Sequence, residues 1–442
     1  MKVNHLIVYR GLLQDEVFRG VADLLEASGT EALDAELFCK SLGTLLERAG
    51  ALGLSGNLWR AYLTYLLIRD ENAFSLSCEF HKNGNKSFYA AALSDFAILR
   101  EVFHFDWEKA AQSCGINYKF MSTDYVNNNL DENTETSQSA MQADPFVCGL
   151  DTDAIHKILR LSDDLEKAES AEAFADMVAA YYAEHGAGQF GLHKAFKIRH
   201  HQGDADIVPI LNTDSVRLED LVGYELQKKK LRDNTEAFVR KRSANNCLLF
   251  GAAGTGKSSS IKGILNEYAD RGLRMIELYK HELKDLGSVM ARIRNRNYRF
   301  IIYMDDLSFE DFETEYKYLK AVIEGGLEKR PENVLIYATS NRRHLIRESF
   351  SDREEGENDL HRNDTVQEKL SLAYRFGVSI YFGSPDKKEF NHIVKILAKR
   401  YNMDIPESEL LLEANKWELS HGGLSGRTAQ AFIDYMRGTY EG

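Results

Sequence analysis

No run of apolar residues in this 442-residue sequence approaches the roughly 18–20 needed to cross a bilayer, so a helical membrane span and a membrane partner are not expected. The five cysteines (Cys39, Cys78, Cys114, Cys148, Cys247) are scattered, odd in number and never spaced Cys-x-x-Cys. That pattern speaks against a disulfide framework or a thiolate metal site, and for buried thiols in a reduced, cytoplasmic chain. The opening stretch MKVNHLIVYRGLLQDE carries too short an apolar patch, and acids too early, for a secretory signal. Internal repeats are absent as well. Nor is there an excess of basic charge: the net charge is −13, and residues 1–200 carry 18 Lys+Arg against 29 Asp+Glu. So acidic a half is poorly suited to gripping a phosphate backbone, and any nucleic-acid contact falls to the second half.

What is present is enough apolar content, 44%, for two or three domains with cores of their own. Residues 1–200 read as a mostly α-helical domain of unknown role. DEVFRGVADLLEASG, AELFCKSLGTLLERAG, NLWRAYLTYLLIRDEN and the long stretch DAIHKILRLSDDLEKAESAEAFADMVAAYYAEHG repeat apolar residues at three- and four-residue steps. Trp59, Tyr62, Tyr65 and Leu66 share one face and are expected in the core. Between these helices, 124–144 is polar and reads as a linker. From about 200 the rhythm changes. CLLFG, RMIELY, RFIIYMDD and NVLIYATSN are short apolar runs separated by helical segments, the pattern of an α/β fold with parallel strands covered by helices.

The stretch GAAGTGKS, 251–258, satisfies the phosphate-loop pattern Gly-x-x-x-x-Gly-Lys-Ser, with the strand-like NNCLLF before it and a helical segment after it. Gly251, Gly254 and Gly256 free the backbone to turn successive N–H groups, including those of Thr255 and Ser259, toward phosphate oxygens. The helix that starts there adds its positive end. Lys257 then addresses the β- and γ-phosphates, and the Ser258 hydroxyl is a candidate Mg²⁺ ligand. Forty-eight residues on, RFIIYMDD ends a second buried strand in two acids. Asp305 is the second candidate for the metal. Asp306 stands where a glutamate commonly polarises the attacking water, and its carboxylate falls about 1.3–1.5 Å short unless the backbone moves closer. Slow hydrolysis, assistance from Glu310, or a nucleotide-binding switch that rarely turns over are the three outcomes compatible with that substitution; hydrolysis is the reading favoured.

Several further stretches resemble the AAA+ ATPases in order and spacing. VRLEDLVGYELQKKKL, 216–231, is similar to the segment whose backbone contacts adenine, which implicates Val222 and Gly223. NVLIYATSN looks like the sensor 1 strand, with Asn341 at the γ-phosphate or the attacking water. LSLAYRFGVSIYFGSPD, 370–386, resembles the arginine-finger segment, which would carry Arg375 to a neighbour's nucleotide, although Ala373-Tyr374 stands where a polar-acidic pair is expected. GGLSGRTAQAFIDY, 422–435, looks like the sensor 2 helix, with Arg427 reaching in from a lid. Residues 200–442 as a whole are similar to a bacterial AAA+ family filed as domain of unknown function 815, in which Asp-Asp followed by LSFE is itself a mark. The plainer readings are a cap or turn residue at Asn341 and a surface ion pair at Arg375.

The resemblance implies an AAA+ nucleotide-binding domain at 201–385, a small helical lid at 386–442, ATP and Mg²⁺ as ligands, a homo-oligomer, and an unknown protein client. An oligomeric ATPase that remodels its client is the favoured function, and a nucleotide-gated loader or adaptor with little turnover is the alternative. Peptide threading has little support, since Tyr279 is the only aromatic near the place where unfoldases carry their gripping loop. The arginines of ARIRNRNYR (Arg292, Arg294, Arg296, Arg299) are a weak nucleic-acid candidate beside the plainer reading of ion-paired helix ends. Arg342 and Arg343 are accounted for by their nearness to the nucleotide, and 347–369 reads as a charged surface loop.

Overall fold

The computed structural model describes residues 3–27, 34–80, 86–116, 149–201, 204–309, 313, 315–324, 331–342, 345 and 372–440. The expected linker at 124–144, the loop at 347–369, Glu310 and Arg343 lie outside these residues. The chain divides into two compact units, Met1–His193 and Lys194–Gly442.

The first unit is helical throughout its described residues, with helices at Glu16–Ala27, Ala35–Leu52, Leu58–Arg69, Ala73–Phe80, Lys86–Phe103, Trp107–Ser113, Thr152–Glu166 and Ala171–His185 and a short turn at Gln189–Leu192. Their starts follow from capping chemistry: Asp34, Asn57, Asp106, Asp151 and Ser170 each accept a backbone N–H of the first turn. Ser170 also explains why the stretch from 153 to 186, one helical pattern in the sequence, is two helices. The core is aromatic, with Tyr9, Phe74, Phe96, Phe103 and Phe174 in successive ring contacts of 5.2–6.0 Å. Trp59, Tyr62 and Leu66 are buried as expected, and Tyr65 is partly buried against them. The Asp95 carboxylate is also fully buried. It accepts the backbone N–H groups of Ile7, Val8 and Tyr9 at 3.0, 2.7 and 2.9 Å, and so ties the start of the described chain to the helix Lys86–Phe103. Three donors on one carboxylate replace the hydration it loses.

The second unit is built on one seven-stranded sheet. Its strands are β1 (Ala195–His201), β2 (Asp204–Pro209), β3 (Cys247–Gly251), β4 (Leu273–Glu277), β5 (Arg299–Met304), β6 (Val334–Ser340) and β7 (Val378–Phe382), in the order β2-β1-β4-β5-β6-β3-β7. Every pairing is parallel except the β1–β2 hairpin. All seven residues of β6 are buried, as a central parallel strand covered on both faces requires, which is why such strands read as unbroken apolar runs. β1 corrects the expected boundary at 200. AFKIRHH alternates instead, with Phe196 and Ile198 inward and Lys197 and Arg199 outward, and pairs Ala195 with Met275. A period of two over so few residues is easily absorbed into the helical stretch before it. The helices Lys387–Arg400, Glu407–Ser420 and Gly426–Tyr440 follow β7 and pack around a core of their own that includes Phe390, Val394, Ala414 and Phe432. No helix among the described residues is long and apolar enough to cross a membrane.

Asp95→Ala leaves three backbone amides, the buried one of Tyr9 among them, without their acceptor. We expect it to lower unfolding stability by about 2–4 kcal/mol. A urea midpoint equal to that of the wild type would show that Asp95 does not anchor this segment.

Candidate functional site

Strand register brings the site together. Phe250 pairs with Ser340, Gly251 with Phe382, and Met304 with Ala338, so the carboxyl ends of β3, β5, β6 and β7 reach the same edge of the sheet. β3 lies between β6 and β7, where the strand order reverses, and open α/β sheets bind ligands at such a crevice.

From that edge the chain turns through the phosphate loop into the helix Lys257–Tyr268. Gly251 has φ 134°, and a Cβ there would land on the Phe382 carbonyl oxygen. Gly254 has φ 73°, and a Cβ would stand 3.0 Å from Ser425 Oγ and 3.1 Å from Arg427 Cβ. Only glycine leaves room at that point for the lid to sit on the loop, and the Arg427 N–H donates to the Gly254 carbonyl at 3.1 Å.

A run of hydrogen bonds leads from Lys257 round to its covalent neighbour Ser258. Lys257 Nζ, buried, donates to Gly251 O (3.1 Å), Ala252 O (2.6 Å) and Asn341 Oδ1 (2.9 Å). Asn341 Nδ2 donates to Asp306 Oδ1 (2.8 Å), and the Asp306 N–H donates to Thr339 Oγ1 (2.9 Å). Thr339 Oγ1 in turn donates to Asp305 Oδ1 (2.6 Å), which also accepts from Ser258 Oγ (2.7 Å), the residue next to Lys257. Asp306 adopts a left-handed backbone, φ 47°, a conformation that costs a non-glycine residue of order 1 kcal/mol and in which Asp and Asn are tolerated best. Burial pushes the Asp305 carboxyl up, but the hydrogen bonds from Thr339 and Ser258 outweigh it and hold the group below the ordinary carboxylate value. Burial lowers the pKa of the Lys257 ammonium, against the opposing pull of Asp306 and Asp305.

The circuit lies in a cavity of about 1000 Å³. Of the residues singled out in the sequence, Val222, Gly254, Thr255, Gly256, Lys257, Ser258, Ser259, Asp305, Asp306, Asn341 and Arg427 line it. Gly223 and Gly251 shape its walls through positive φ without lining it, and Arg375 and Arg342 are not among the lining residues. The loop amides, Lys257 and the two aspartates bring polar groups to the cavity. Leu221, Val222, Ile393, Leu397, Tyr224 and Tyr401 add apolar and aromatic surface to its lining. A flat base with a polyanionic tail matches that combination. Ser258 and Asp305 suit Mg²⁺, which takes few protein ligands and completes its shell from phosphate and water; among the described residues no cluster of three or more His, Cys, Asp or Glu is placed to hold a metal. Sequence reading missed Thr339, the bridge between the two aspartates. Its signal was its place two residues before Asn341, and so on the same face of β6. It also did not single out Lys228, Gln430 and Asp434, which lie within the quoted stretches, or Arg400, which lies outside them, all on the cavity wall.

The arginine cluster is engaged within the unit. Arg292 pairs with Asp206 at 3.0 Å, and Arg299 donates to the Glu332 carbonyl and lies over the Phe238 ring.

A parallel sheet with a phosphate loop after β3, acids after β5, a polar residue after β6 and a following helical part carrying an arginine is the arrangement of the AAA+ P-loop fold. The chain belongs to the family described as Protein of unknown function (DUF815), whose profile matches residues 191–440. No curated protein matches the sequence. Among solved structures it is similar to the Thermotoga maritima RuvB Holliday junction branch migration motor, at 17% identity and TM-score 0.36, over 50% of this chain and 64% of that one. A proline-to-glycine variant of the same RuvB matches at 17% identity and TM-score 0.37, over 51% and 66%. The matched part thus spans less than two thirds of either RuvB chain.

The sign of the Asp305 effect sets a pH dependence. With its folded pKa below the ordinary 3.8, the carboxylate contributes stability above that value, and the contribution disappears as pH falls through the folded pKa. Thermal midpoints measured downward from about pH 5 should therefore fall more steeply in the wild type than in Asp305→Asn. Parallel curves would contradict the assignment.

Proposed function

We propose that the protein is an AAA+ ATP hydrolase, with the sheet-bearing part of the second unit and the lid at 386–442 enclosing Mg·ATP. The circuit from Lys257 through Asn341, Asp306, Thr339 and Asp305 to Ser258 carries this reading: it collects a cation, two carboxylates and three neutral side-chain donors where the phosphate loop begins its helix. The loop amides from Gly254 to Ser259 and Lys257 hold the phosphates, and the backbone at Val222–Gly223 meets the base. Ser258 and Asp305 hold Mg²⁺, which supplies charge neutralisation on the phosphate oxygens when bound. Asp306 accepts the proton side of the attacking water, with its carboxylate aimed by Asn341. Asn341 and Arg427 place donors on the γ-phosphate. The left-handed turn at Asp306 supports the role of the shorter acid, because it is a backbone adjustment confined to that residue.

Arg375, outside the cavity of its own chain, serves the nucleotide of an adjacent copy in a homo-oligomer. ATP turnover then changes the geometry of lid and interface, and the helical N-terminal unit passes the change to a protein client in the cytoplasm. Nucleic acid is not part of the proposal, since Arg292 and Arg299 already have partners inside the unit.

Three variants test the assignment. Lys257→Ala should abolish the heat of ATP binding in calorimetry with Mg²⁺ present. Asp306→Asn should keep ATP affinity and fold stability, because Asn tolerates the left-handed backbone, while turnover drops by about a hundredfold or more. In a concentration series, turnover per subunit should rise with protein concentration in the wild type and collapse in Arg375→Ala. Asp306→Asn hydrolysing at the wild-type rate removes that residue from catalysis. Tight binding with negligible wild-type turnover replaces the hydrolase by a nucleotide-gated binding module.

A further inference from the structure

Lys228 has no role in the chemistry derived so far, yet it is 6% exposed and lines the nucleotide cavity. It lies on the helix Glu225–Val239, which follows a tight turn with two positive φ angles, Gly223 at 81° and Tyr224 at 58°. The turn is held from both sides. Tyr224 OH donates to the Gly383 carbonyl at 2.7 Å, and its ring lies 5.2 Å from Phe382. Lys228 Nζ donates to the Leu221 carbonyl at 2.7 Å and pairs with Glu225 Oε1 at 2.6 Å. These are its partners among the described residues.

An ammonium has three N–H donors. Two are used on Leu221 and Glu225, and a nearly buried ammonium is under strong pressure to use the third. Leu221, whose carbonyl Lys228 holds, directly precedes Val222 and Gly223, the backbone placed at the base in the proposed function, and all but Gly223 line the cavity. The acceptor that a bound nucleotide offers there is a ring nitrogen of its base.

Resting on the nucleotide reading above, we propose that Lys228 is a specificity-determining residue that donates its third N–H to a purine ring nitrogen, so that this site reads the base as well as the triphosphate. Its bond to Leu221 fixes the ammonium, and the carbonyl it occupies is removed from competition for the base. The acceptor is N1, N3 or N7, each of which a deaza analogue deletes by replacing nitrogen with C–H.

Calorimetry on the full chain with Mg²⁺ tests this with ATP, 1-deaza-, 3-deaza- and 7-deaza-ATP, and inorganic triphosphate. In the wild type one deaza nucleotide should bind roughly tenfold or more weaker than ATP, the loss expected when a charged donor is left without its acceptor. Lys228→Met should weaken ATP by a similar factor, bind that analogue and ATP alike, and leave inorganic triphosphate affinity unchanged; Lys228→Arg should restore part of the discrimination. Equal binding of ATP and all three analogues by the wild type overturns the proposal even if the methionine variant misfolds. So does a Lys228→Met protein that keeps the wild-type preference for ATP over the deaza series. Absence of ATP binding to the wild type is a different result, and rejects the nucleotide reading itself.

Discussion

The Thr339 hydroxyl stands between two adjacent aspartates, accepting from the backbone of one and donating to the carboxylate of the other, and the site is organised around it. Because it bonds in both directions, its rotor is fixed, and with it the side chain of Asp305 and the peptide that turns left-handed at Asp306. The bridge exists only if β5 and β6 keep their register. A slip of one residue would put Thr339 on the opposite face of the sheet. Parallel strands buried on both faces specify register strongly, and the burial of β6 along its whole length is therefore a condition for the geometry of the site as much as for stability.

Lys257 shows how the circuit handles an unfavourable charge. Burial disfavours the ammonium, and no carboxylate among the described residues touches it directly; two loop carbonyls and the Asn341 amide oxygen take up its three donors. Neutral dipoles satisfy a cation without cancelling its charge, so it retains its attraction for an anion that reaches the loop. The nearby aspartates oppose the effect of burial through space, which keeps the charged form available. The lid takes part through close packing. Its backbone at Arg427 bonds to Gly254, at a point where any side chain on the loop would hold it off.

The first unit is acidic in sequence, and its burial is dominated by rings and aliphatic side chains. Its buried carboxylate at Asp95 holds backbone amides, which makes it an anchor for chain that would otherwise be free to fray. The arginines between Arg292 and Arg299 looked like an anion-binding edge in the linear sequence. Folding gives Arg292 an aspartate from the β1–β2 hairpin as its partner, and that hairpin lies far away along the chain.

Sequence alone determined the phosphate loop, the helix after it, the acid-tipped strand and the apolar runs of the parallel sheet. These depend on local properties, namely glycine at required positive φ, a lysine at fixed spacing, and hydrophobic continuity, which neighbouring residues encode by themselves. Tertiary structure decided the rest. Whether AFKIRHH pairs with RMIELY, that Thr339 bridges the aspartates, that Asp306 turns left-handed and that Lys228 lines the cavity all depend on groups far apart along the chain, which strand register and packing bring together.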